Sequence, residues 1–140
     1  MVRIVKEFLW PIRVYYEDTD CGGVVYHTNY LKFMEQARTE MLRSFGFEQD
    51  KLIEKEKIIF AVRSLSVDYL KPSRFNDLLQ VSTSISRSGP ASLTFEQLIA
   101  RQSDQILLCK AQVRVACLHA VDLIPNPIPD NIRREISHAN

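Results

Sequence analysis

The stretch Tyr15–Phe45, YYEDTDCGGVVYHTNYLKFMEQARTEMLRSF, has two unlike halves. The second half sets Tyr30, Phe33, Met34, Ala37, Met41 and Phe45 at helical spacing, with Lys32, Gln36, Thr39, Glu40 and Arg43 between them. One apolar stripe on a polar segment predicts an amphipathic helix from about Asn29 to Phe45. Gly46 is placed as its stop, with Phe47 able to fold back on Leu42. The first half is a loop. Glu17, Asp18 and Asp20 crowd ahead of Gly22 and Gly23, although a plain turn needs only a Gly or an Asn. So acidic a loop needs a reason beyond reversing the chain.

Upstream, Ile12, Val14 and Tyr16 alternate with Arg13, Tyr15 and Glu17, which predicts a strand over about Leu9–Asp18 with Tyr16 on the face of Ile12 and Val14. Downstream, EQDKLIEKEK (48–57) predicts a short helical segment, and four strands follow. IFAVRSLSVDYLK (59–71) alternates at Leu65, Val67 and Tyr69. LLQVSTSISR (78–87) sets Leu79, Val81, Thr83 and Ile85 against polar neighbours, and ASLTFEQLIA (91–100) is less regular. ILLCKAQVRVACLH (106–119) sets Cys109, Ala111, Val113, Val115 and Cys117 against Lys110, Gln112 and Arg114. The joins PSRFND, RSGPAS and QSDQ are short and turn-rich, which favours antiparallel hairpins. One long helix with one apolar face is buried most simply by an antiparallel sheet wrapped around it. The expected fold is therefore α+β, with a five-stranded sheet around a central helix. Residues 1–140 form one domain in this reading, and the Pro-broken tail 125–140 is expected to be loosely packed. Five strands leave two edges, which favours pairing with a second copy.

The net charge is +1, from 18 basic and 17 acidic residues scattered along the chain. Nothing in that pattern predicts a nucleic-acid or anionic-membrane partner. No run approaches the roughly 20 apolar residues of a membrane span. The N-terminal patch, broken by Lys6, Glu7 and Pro11, does not read as a signal peptide. Cys21, Cys109 and Cys117 show no metal-ligand spacing, so a cytoplasmic location is the expectation. An EF-hand opening at Asp18 needs an acid at its twelfth position, where Asn29 stands. No Rossmann-like alternation follows to support a phosphatase-type DxD loop. No metal is expected.

The loop lies between a strand and a helix start, where unpaired backbone N–H groups can hold an oxyanion. The first predicted turn, TNYLK, carries no acid to occupy those donors. A carboxylate delivered by a Gly-containing loop beside such a site suits attack on a carbonyl.

The segment VYYEDTDCGGVVYHTNYLKFMEQART (14–39) resembles the signature of hotdog-fold acyl-CoA thioesterases of the 4-hydroxybenzoyl-CoA type. More narrowly, it resembles the YbgC-type group linked to the Tol-Pal envelope system. VDYLKPSRFNDLLQVSTSI (67–85) resembles that family's second strand and following hairpin, so the likeness runs through nearly the whole chain. It implies hydrolysis of acyl-CoA by a homodimer, or a dimer of dimers, without a cofactor, coenzyme A being part of the substrate. It also implies Asp20 as the catalytic carboxylate, Tyr16 and His27 at the active site, and the N–H at His27 polarising the thioester carbonyl. Gly23, Val25 and Tyr26 join them as loop contacts to substrate. Arg63, Arg87 and Ser88 are candidates for the coenzyme A phosphates, with Lys71 and Arg74 as further cations.

Each residue also has a plainer reading. Asp20 alone is a turn aspartate, His27 a helix-start residue and Tyr16 a core tyrosine. Glu17 and Asp18 are read as solvated or loop-ordering. Another hotdog branch uses a helix carboxylate, for which Glu35 is the candidate, but an i, i+3 pair with Arg38 is expected instead. Cys109 and Cys117 are expected to be buried. The rival to the enzyme is a non-catalytic acyl-binding or scaffolding protein that docks acyl carrier protein or envelope partners.

Overall fold

The computed structural model describes residues 7–139, so Lys6 and the start of the N-terminal apolar patch lie outside the described residues. The elements are β1 (Phe8–Arg13), a 3-10 turn (Tyr16–Asp18), α1 (His27–Ser44), a short α2 (Gln49–Lys51) continued by a π-helical turn (Leu52–Glu56), β2 (Ile58–Tyr69), β3 (Leu78–Ser88), β4 (Ser92–Arg101), β5 (Leu107–His119) and α3 (Asp130–Ala139). The five strands form one antiparallel sheet in the order β1-β3-β4-β5-β2.

The apolar stripe of α1 does what its spacing requires. Tyr30, Phe33, Met34, Ala37, Met41 and Leu42 are buried, facing Leu79, Val81, Ile85, Phe95, Ile99 and Val113 from the sheet. Each such side chain stabilises the fold by roughly 1.5–3 kcal/mol through removal from water. Gly46 ends the helix at φ 95°, with Phe47 N–H donating to the Leu42 carbonyl at 2.9 Å and Gly46 N–H to Arg43 at 2.9 Å. That is the Schellman closure expected from Gly46 and Phe47. Cys109 and Cys117 are fully buried, and desolvation pushes each thiol up to about 11.

A polar layer crosses this core. Gln97, with no exposed surface, donates to the Met34 carbonyl at 3.0 Å and the Thr83 hydroxyl at 2.9 Å, and it accepts from Arg38 at 2.9 Å. A buried amide left unbonded costs more than its bonds return, so Gln97 needs all three partners. The Arg38 guanidinium is thereby drawn inward, and the expected Glu35–Arg38 pair does not form. Glu35 instead accepts from the Thr39 hydroxyl at 3.3 Å. Burial pulls the Arg38 pKa down while the charge of Glu35 opposes it.

Two further expectations are corrected. The first strand stops at Arg13, and Tyr16–Asp18 turn away because the Asp18 carboxylate accepts from the Tyr15 N–H at 2.8 Å. Tyr16 is consequently 76% exposed rather than on the core face. The tail is not loose. Asn126 N–H donates to the Cys117 carbonyl and Ile128 N–H to that of Pro90, each at 2.9 Å, and Ile128, Ile132 and Ile136 are buried. Ile132→Ala should therefore lower unfolding free energy by at least about 2 kcal/mol in urea titration, with an unchanged denaturant slope. A loss below half of that would show that the tail does not contribute to the core.

Strand β2 is only partly covered. Leu65, Val67 and Tyr69 pair with Val113, Ala111 and Cys109, whose side chains face the core, yet Leu65 and Tyr69 remain 43% and 44% exposed. α1 packs chiefly over β1 and β3, leaving this edge uncovered. The alternation was sound; the cover is missing within one chain.

Candidate active site

The acidic loop is a tight hairpin. Thr19 pairs with Val25, and Asp20 N–H donates to Val24 at 2.9 Å, while Gly23 N–H returns to Asp20 at 3.1 Å. Gly23 adopts φ 80°, a left-handed conformation that costs an L side chain roughly 1–2 kcal/mol. Gly22 has a different reason. Its N–H donates to the Asp20 carboxylate at 2.8 Å, and a Cβ there would stand 3.3 Å from the same oxygen.

Asp20 is exposed, and that Gly22 N–H is the one hydrogen-bond donor its carboxylate takes among the described residues. The hairpin base is anchored on both sides. Val25 N–H donates to Ser73 at 2.9 Å, Val24 pairs with Arg74, and Tyr26 N–H donates to the Asp18 carbonyl at 2.9 Å. Asp18 is 5% exposed rather than solvated, and its second carboxylate oxygen accepts from Asn29 Nδ2 at 3.0 Å. Of the acids in the motif, Asp18 orders the loop and Asp20 is left accessible.

Helix α1 opens at His27 with no side-chain cap and no acid in its first turn. Asn29 N–H closes onto the Tyr26 carbonyl at 2.8 Å, whereas no acceptor among the described residues takes the N–H of His27 or Thr28. Those donors are free to hold an oxyanion. The His27 ring lies 4.6 Å from that of Tyr26 and meets Tyr69 edge-on at 6.0 Å. Tyr69 lies 5.8 Å from Tyr30, whose hydroxyl bonds Ser73 Oγ at 2.9 Å. Partial burial, with smaller contributions from Cys109 and Tyr30, raises the Tyr69 pKa. Tyr69 and Ser73 escaped the sequence reading because nothing local marks them; they arrive from the end of β2 and the loop after it.

The other candidates divide. Tyr26 and Gly23 stay with the loop, but Val25 is 4% exposed and packs in the core. The Tyr16 ring stacks on Phe75 at 3.9 Å and 3°, turned outward, with no hydrogen bond to Asp20 or His27. Arg63 falls at the β2 bulge between Val62 and Ser64. Arg87 lies in a polar groove with Arg114, Ser86, Ser92 and Thr94 on the sheet face opposite α1, and Ser88 ends β3. Of the cations considered, Arg74 is the one that pairs with the loop, through its backbone. The turn after Ser88 is engaged by the tail, since Arg133 donates to Pro90 at 2.9 Å. Beside α1, Glu35, Arg38, Thr39, Phe60, Val62 and Phe95 help line a cavity of about 100 Å³. Among the described residues no three His, Cys, Asp or Glu side chains are grouped as metal ligands, and no helix is long and apolar enough to cross a membrane.

Residues 22–108 match the family model of the thioesterase superfamily. The chain is 43% identical over 131 residues to the acyl-CoA thioesterase YbgC of Haemophilus influenzae, covering 94% of this chain and 95% of that one. It is 44% identical over 128 residues to the acyl-CoA thioester hydrolase YbgC of Escherichia coli O6:H1, covering 91% and 94%. Among solved structures, a probable thioesterase from Bartonella henselae superposes with a TM-score of 0.83 at 36% identity, covering 88% of this chain and 99% of that one. With a helix cradled in a five-stranded antiparallel sheet and relatives at this level of identity, the chain belongs to the thioesterase superfamily, as a hotdog-fold thioester hydrolase of the YbgC-type group.

Proposed function

We propose that the chain hydrolyses acyl-CoA thioesters to a free acid and coenzyme A, with Asp20 as nucleophile or general base. The observation that carries this reading is an accessible carboxylate on the same short loop that leads into two uncommitted N–H donors, those of His27 and Thr28. A thioester carbonyl is already electrophilic, because sulfur donates its lone pair poorly. Asp20 either attacks the carbonyl carbon, expelling the coenzyme A thiolate and leaving a mixed anhydride for water to cleave, or takes a proton from the water that attacks. In both routes charge gathers on the carbonyl oxygen, and the His27 N–H meets it. In this reading the His27 ring, packed on Tyr26 and Tyr69, borders the site.

A second copy completes this arrangement. The uncovered face of β2, with Val62, Leu65 and Tyr69 all over 40% exposed, is an apolar strip on an unpaired edge strand. Pairing two such edges into a dimer would cover it, and two dimers can then associate. The unpaired thiols of Cys21, Cys109 and Cys117 suit a reducing compartment, and the reading places the enzyme in the cytoplasm.

Steady-state hydrolysis of a panel of aliphatic and aromatic acyl-CoAs, followed by release of free coenzyme A, tests the reading. Turnover of at least one class is expected, from a species of twice or four times the chain mass by light scattering. Ligand binding with no turnover across the panel would favour the acyl-binding scaffold instead.

A further inference from the structure

We propose that Asp18 is a positioning residue for the reaction, acting through Asn29 to hold the attacking carboxylate and the oxyanion donors in register. The inference rests on the assignment of Asp20 and the His27 N–H given above. Of the two acids of the motif that the chemistry does not use, Glu17 is exposed and Asp18 is buried. Its three acceptors join three pieces of chain. One carboxylate oxygen takes the Tyr15 N–H at 2.8 Å, the other takes Asn29 Nδ2 at 3.0 Å, and its backbone carbonyl takes the Tyr26 N–H at 2.9 Å. The residue ahead of the 3-10 turn, the residue before α1 and the first turn of α1 are thus tied to a single residue. Asp20 lies two positions along the chain from that knot, and the His27 N–H lies one position beyond Tyr26.

The arrangement asks more of Asp18 than loop order. No Lys, Arg or His side chain pairs with its carboxylate among the described residues, so the buried charge is held by amide donors alone. Both of those donors point at it, which is why an amide would not serve: Asn at position 18 offers one oxygen, and its NH2 group would face a donor. The polarity of the pair is also informative. An acid at position 29 and an amide at 18 would bridge the same gap and would stabilise the helix start through its dipole. That choice would set a carboxylate in the first turn of α1, beside the donors that receive the oxyanion. The chain does the reverse, placing the carboxylate on the loop and the neutral amide on the helix, so the first turn of α1 carries no acidic side chain of its own.

A double-mutant cycle tests the clamp. Asp18→Asn and Asn29→Ala are each expected to lower kcat about 10-fold or more while KM for the same acyl-CoA stays within about twofold. Because both cut the same link, the double variant should fall no more than about threefold below the worse single one. Multiplicative losses, or single variants with wild-type kcat, would overturn the inference. So would a loss in Asp18→Asn matching that of Asp20→Asn with an altered pH–rate profile, since that is the behaviour of a catalytic acid. If Asp18→Asn does not fold, Asn29→Ala decides alone, because it leaves the Tyr15 bond in place: a wild-type kcat overturns the clamp and a reduced kcat with unchanged KM supports it. Unimpaired Asp20→Asn would instead remove the assignment on which the clamp rests, so the two failures are distinguishable.

Discussion

Asp20→Asn should reduce kcat for acyl-CoA hydrolysis by roughly 10²- to 10⁴-fold, the range removed with a positioned acid–base group, and KM should change little. Asparagine keeps the size of the side chain and the oxygen that accepts from Gly22 at 2.8 Å, so the turn survives the substitution. What disappears is the second anionic oxygen, and with it the capacity to attack a carbonyl or take a proton from water. The thermal midpoint should stay within a degree or two of wild type, because an exposed side chain contributes little packing. Wild-type turnover in this variant would end the assignment. A single turnover of wild type in heavy-oxygen water then tests the covalent route. Label in the side chain of residue 20 marks the anhydride and rules out a pure general-base mechanism.

The second large effect belongs to the backbone. His27→Pro should lower kcat by about two to three powers of ten, the roughly 3–4 kcal/mol lost with one oxyanion donor. Proline deletes the N–H, and position 27 is unusually permissive for it. It is the first residue of α1, where proline is favoured, and its N–H has no acceptor among the described residues to lose. Tyr26 already sits at φ −64°, ψ 134°, the conformation that a following proline imposes. The helix should therefore persist, as measured by far-UV circular dichroism. His27→Ala is the control: it removes the ring that packs on Tyr26 and Tyr69 but keeps the donor. Equal losses in the two variants would assign the effect to the imidazole and not to the main chain.

Both predictions concern residues visible in one contiguous segment, and that is why they were legible early. A hairpin closed by Gly23 followed directly by a helix start is local, and the residues that shape it are neighbours in sequence. Tyr16 misled because alternation cannot say where a strand ends. The ending depends on Asp18 reaching back to the Tyr15 N–H, a bond that competes with the sheet for the same backbone group. The tail misled for a similar reason. Three prolines, Pro125, Pro127 and Pro129, hide a plain signal: Ile128, Ile132 and Ile136 repeat every four residues, with Pro129 just ahead of a helix opening at Asp130. Arg87 and Ser88 are candidates for the phosphates by charge and hydroxyl, and the fold sets Arg87 on the sheet face opposite α1, a placement that no local pattern announces.

By itself the sequence determined the helix, its stop at Gly46, all five strands and the loop that carries the accessible carboxylate, because each depends on periodicity or on a turn conformation set within a few residues. Tertiary structure alone decided what that loop is fastened to and what surrounds it: Ser73 and Arg74 on its flank, Tyr69 against His27, Gln97 claiming Arg38 from Glu35, and β2 left as an uncovered edge. Those pairings join residues dozens of positions apart, and what selects them is the need to satisfy buried polar groups and cover apolar surface, conditions that exist only once the chain has closed on itself.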